Sequence, residues 1–133
     1  MNRKVYQHIA AALQAIENCK RSGNTEWEVR HGETITALIR RYLPHGGGFD
    51  NGVKLDGAST PNRLVFDTAY HHMHDSGMYD GWSDHAVIVT PDLASGFDLR
   101  ITGRDRNQIK EYIAECFHSG LSSDCDLAEL LAA

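Results

Sequence analysis

The apolar residues of this chain change their spacing from three and four to two, and back again, which predicts helices at both ends and strands between. From Lys4 to Ser22 the residues Val5, Ile9, Ala12, Leu13, Ile16 and Cys19 make one helical stripe that Gly23 can end. Asn24 or Thr25 can cap a second helix, in which Trp27, His31, Ile35, Leu38, Ile39 and Tyr42 share a face until Pro44 stops it. Gly32 weakens its middle. The short link folds the two helices into an antiparallel pair whose common apolar face needs a further layer to cover it.

Residues 44–60 carry five glycines and the steps Asn51-Gly52 and Asp56-Gly57, so they read as a loop with a short edge strand near Val53–Leu55. Three strands are expected after it. Arg63–His72 alternates with Leu64, Phe66 and Tyr70 on one face, Asp84–Thr90 is rich in β-branched residues, and Phe97–Thr102 sets Phe97, Leu99 and Ile101 against Asp98, Arg100 and Thr102. Helical spacing returns at Ile109, Tyr112, Ile113, Cys116 and Phe117, with Asp105 as the expected cap. A last short helix would dock through Leu127, Leu130 and Leu131, either on its own chain or on a second copy, so that a homodimer through the C-terminal helix is one expectation. The predicted fold is a single two-layer α+β domain over 1–133. It joins a helical hairpin (1–43), a loop and an antiparallel three- to four-stranded meander (44–103), and C-terminal helices (104–133).

A chain of 133 residues, 41% hydrophobic and 23% charged, has the length and composition of an ordinary one-core globular domain. No apolar run approaches the roughly 20 residues that span a bilayer, and the start leads into an amphipathic pattern rather than a signal-peptide core. The cytoplasm is the expected location. Cys19, Cys116 and Cys125 form no Cys-x-x-Cys pair and read as packed, reduced thiols. The net charge of −5 is unevenly spread: residues 1–42 carry +3 and residues 43–133 carry −8. The basic candidates are confined to Arg40, Arg41, Arg104 and Arg106, which disfavours direct nucleic-acid binding and favours engagement of a basic partner protein.

The stretch from Tyr70 to His85 holds half of the eight histidines and three aspartates beside one predicted turn. Strand alternation puts His72 and His74 on one face, and a hairpin aligning residue 72 with residue 85 adds His85 to it. Imidazole and carboxylate are natural ligands for a first-row metal, so His72, His74 and His85, with Asp75, Asp80 or Asp84 nearby, are a candidate site for a divalent transition metal such as zinc. A register shifted by one residue would send His85 to the other face. Asp80-Gly81 reads most simply as turn chemistry, with Tyr79 and Trp82 packed beside it. Gly103-Arg104-Asp105-Arg106-Asn107 joins a strand to a helix start, where Arg104 and Arg106 could meet an anion; an aspartate cap with two solvated arginines is the simpler account. The glycines after Pro44 precede neither Lys-Ser nor Lys-Thr, so they make no phosphate loop.

Tyr42-Leu43-Pro44, Gly48-Phe49-Asp50, Leu64-Val65-Phe66, His71-His72-Met73, Tyr79-Asp80-Gly81-Trp82, His85 and Gly103-Arg104-Asp105-Arg106-Asn107 through Ile113 together cover most of residues 42–113. In these motifs the chain resembles a family of small proteins associated with bacteriophages, plasmids and integrated elements. It departs from the family pattern after the proline, where His45 and Gly47 stand in place of serines. The resemblance brings no catalytic residues. It implies a mobile-element accessory protein that binds and modulates a host protein or complex, an inhibitor of an antiviral defence complex being one such modulator. Met78, Tyr79, Asp80, Trp82 and Asp84 are the expected contacts, and no cofactor is required. The competing expectations are a metal-dependent hydrolase or metal-binding protein built on His72, His74 and His85, and a nucleic-acid accessory protein reading phosphates through its four arginines.

Overall fold

A computed structural model describes residues 4–104 and 108–132. Helix α1 (Lys4–Ser22) and helix α2 (Thr25–Tyr42) form the expected antiparallel pair. The Asn24 side chain accepts the Trp27 N–H at 3.3 Å and so caps α2, while the chain leaves the helix at Leu43 in extended backbone ahead of Pro44. The face that α2 buries is narrower than its spacing implied. Ile35, Leu38 and Ile39 are buried, but Trp27 remains 48% exposed under the Arg30 guanidinium.

Strands β1 (Val53–Leu55), β2 (Leu64–Met73), β3 (Tyr79–Asp92) and β4 (Gly96–Gly103) make one antiparallel sheet in sequential order, the predicted meander with its edge strand. Its core face is Val53, Leu64, Phe66, Val87, Val89 and Phe97, packed with Val5, Ile9, Leu38, Ile113 and Phe117 from the helices. Its other face, with Lys54, Asp67, Met73, Trp82, Asp84, Asp98 and Arg100, is exposed. The molecule is therefore a two-layer α+β domain with all helices on one side of a half-open sheet.

Helix α3 (Ile109–Leu121) starts later than expected. Its cap position is Gln108, at φ 61° and without a side-chain capping bond, and Asp105 lies outside the described residues. Helix α4 (Leu127–Ala132) docks on its own chain: Leu130 packs against the core, and Glu129 meets Arg41 at 3.5 Å. The three cysteines are free thiols, Cys19 and Cys125 buried and Cys116 half-buried. Burial raises the Cys116 pKa while the Tyr112 hydroxyl lowers it, with a net rise that keeps this thiol protonated. Among the described residues no helix is long and apolar enough to cross a membrane.

Candidate functional site

The β2–β3 hairpin is longer than the sequence suggested. The turn occupies only residues 74–78, closed by the His74 N–H to the Met78 carbonyl at 2.7 Å and the Gly77 N–H to the His74 carbonyl at 2.8 Å. Asp80-Gly81 is not that turn. His71 faces Trp82 and Met73 faces Tyr79, so Asp80 and Gly81 together oppose the single residue His72 in a β-bulge, with Gly81 at φ 80°. An extra residue on one strand twists the ladder locally and re-aims the side chains beyond it.

On the core face this geometry brings two of the three candidate histidines together. Thr68 opposes His85 and Tyr70 opposes Ser83, so His85 shares the face of His72 although its direct partner is not residue 72. The Ser83 hydroxyl lies between them, 2.8 Å from His72 Nε2 and 2.7 Å from His85 Nε2, and all three residues are buried. A hydroxyl carries one proton, so Ser83 can donate to only one imidazole and must accept an N–H from the other. At least one of the two rings therefore carries a proton on Nε2 and donates it to the Ser83 oxygen. The Tyr70 ring covers His72 edge-on at 5.2 Å and itself packs on Phe49 and Tyr112.

His74 does not join them. It lies beyond the bulge and at the start of the turn, where its Nδ1 accepts the Ser76 N–H at 3.2 Å and lies 3.1 Å from Ser76 Oγ, so it stabilises the turn rather than facing His72. The predicted three-histidine arrangement is therefore not formed, and among the described residues no group of three His, Cys, Asp or Glu side chains is placed to hold a metal. Ser83, which was not among the candidates, supplies the junction. It lies two residues from His85, so strand alternation alone puts it on the same face.

The opposite face of the same hairpin carries the expected contact residues. Met73, Met78, Tyr79 and Trp82 are between 55% and 71% exposed, a concentration of large apolar side chains at one end of the open sheet. Asp75, Asp80 and Asp84 are exposed among them, and residues 64–99 contain six aspartates and neither lysine nor arginine. His71 stands at the border, its Nδ1 3.3 Å from the Tyr79 hydroxyl and its ring 5.7 Å from the Tyr79 ring. Its Nε2 is buried without a hydrogen-bond partner among the described residues. It lines a cleft of about 370 Å³ with Gly47, Gly48, Tyr70, Met73 and Tyr79. Gly48 tethers the loop to this strand: its carbonyl accepts the His71 N–H at 2.8 Å, and a Cβ at Gly48 would collide with the Tyr70 ring.

Of the other candidates, Arg104 is exposed next to Gly103 and Arg106 lies outside the described residues. The described start of α3 falls at Ile109 rather than at Asp105. Arg40 and Arg41 lie in the last turn of α2, where Arg41 covers the Tyr42 ring and pairs with Glu129. No family model, curated protein or solved structure matches the chain.

Proposed function

We propose that this protein is a binding module that engages a partner protein through the exposed end of the β2–β3 hairpin. One observation carries the reading: Met73, Tyr79 and Trp82 on the open face of the hairpin and Met78 in its turn stand exposed together at one end of the sheet. Exposed aromatic and methionine side chains are the usual anchors of protein interfaces, and a rim of Asp75, Asp80 and Asp84 steers a basic partner toward them. The buried His72–Ser83–His85 network lies on the reverse side of the same strands and holds the hairpin in one shape before binding, which lowers the ordering cost of association. In keeping with the family resemblance, the partner is a host protein or complex whose activity the module alters, as an inhibitor of antiviral defence would.

The test is capture from a bacterial lysate by the untagged-surface protein immobilised through its N-terminus, beside a Tyr79→Ala/Trp82→Ala variant. A host protein retained by the wild type and lost with the variant, both having the same circular dichroism, is the expected result. An identical retained set from both proteins, or no retained host protein, would overturn the assignment.

A further inference from the structure

The two edges of the sheet are protected differently. On one side β1 is only three residues long, and the loop before it continues along β2 through the Gly48–His71 hydrogen bond. On the other side β4 runs for eight residues, pairs with β3 in unbroken register from His85↔Gly103 to Asp92↔Gly96, and contains no proline, lysine or bulge. Among the described residues nothing pairs with its outer edge. Edge strands of this kind are templates for further strand pairing unless some device blunts them.

The charges on β4 say what fits there. Asp98 and Arg100 are both exposed, and neither forms a salt bridge among the described residues. Within the sheet Asp98 faces Thr90 and Arg100 faces Ile88, so neither charge is balanced by β3. Leu99 and Ile101, on the helical side, are only partly buried although they pack against the core.

We propose that β4 pairs with β4 of a second copy of this chain, antiparallel and with Leu99 on the two-fold axis. That register sets Asp98 of each copy opposite Arg100 of the other, twice by symmetry, and sets Phe97 opposite Ile101 and Leu99 opposite Leu99 on the helical side. Shifting the axis to Arg100 would put like charges face to face, and shifting it to Asp98 would do the same, so only one of the three neighbouring registers satisfies both charges. Because facing residues share a face, the product is a continuous eight-stranded sheet with both sets of helices on one side. Its open face then displays two copies of the β2–β3 patch, although the pairing stands or falls independently of what that patch binds.

Sedimentation equilibrium tests it over protein concentrations from about 10 μM to about 1 mM, a range suited to a small edge-to-edge interface. The wild type is expected to self-associate to a dimer, and the β4 amides to exchange more slowly as concentration rises. Arg100→Asp and Asp98→Arg each replace two attractive pairs by repulsive ones and should weaken association by about tenfold. The double variant Asp98→Arg/Arg100→Asp exchanges the charges and should restore it. Thermal melts at low concentration establish that all variants fold. A wild type that stays monomeric throughout, a dimer indifferent to both reversals, or a double variant that fails to recover would each overturn the proposal.

Discussion

At the scale of single residues, the most informative group is Ser83. Its hydroxyl lies within hydrogen-bond distance of both buried imidazoles, and replacing it removes that junction between their Nε2 atoms. Ser83→Ala should lower unfolding free energy by about 1 to 3 kcal/mol, the usual cost of stranding buried polar groups, read from urea denaturation. Unchanged stability would mean that the network is not holding the hairpin. A second residue-scale effect concerns Asp56 and Asp67. The Ala58 N–H and then the Asp67 side chain lower the Asp56 pKa, whereas burial and then Asp56 raise that of Asp67. A carboxyl whose pKa is raised on folding is destabilising once ionised, so Asp67 costs stability above its shifted pKa and stops doing so when protonated. Asp67→Asn should therefore raise the melting temperature slightly at neutral pH, with the gain disappearing as the pH falls toward the ordinary carboxylate range. A gain that persists there would point to a cause other than charge. The effect stays small because Asp67 is exposed to solvent.

At the scale of elements, the helices and the meander were legible because their apolar periods are clean, and both strand alternation and the Asx-Gly steps located β1, β2 and β4 closely. The extent of β3 was not legible. Asp80, Gly81, Ser83 and Asp84 are poor strand formers, and only their pairing with β2 draws them into the ladder. The turn and the bulge together explain the fate of the histidines. Alternation kept His74 with His72, but the strand gives way to the turn at residue 74; His85 does share the face of His72, although it lies opposite Thr68 rather than residue 72 because Asp80-Gly81 is a bulge and not the turn. The loop that borders the hairpin is also a structural element with a measurable role. Gly48→Ala drives a methyl group into the Tyr70 ring and should cost about 1 to 3 kcal/mol by overpacking. Amide exchange should quicken at His71, whose N–H that loop accepts. A variant as stable as the wild type would show that the loop yields freely.

At the scale of the whole molecule, the fold assigns different tasks to the two faces of one sheet. The helices cover one face, where aromatic packing and the His–Ser–His network stiffen the long hairpin. The other face stays open and carries the acidic, methionine- and aromatic-bearing surface. The charge is uneven as well, since the helical hairpin is the basic part of the chain and the strands and C-terminal helices after it are acidic. The central claim is that the open end of the hairpin, rather than the helical surface, meets the partner. Site-specific photocrosslinking decides this most directly, with a benzophenone side chain placed in turn at position 82 on the hairpin and position 29 on α2, both exposed in the free protein. A discrete adduct with a host protein from position 82 and none from position 29 is the predicted result, and an adduct from position 29 alone would contradict the account.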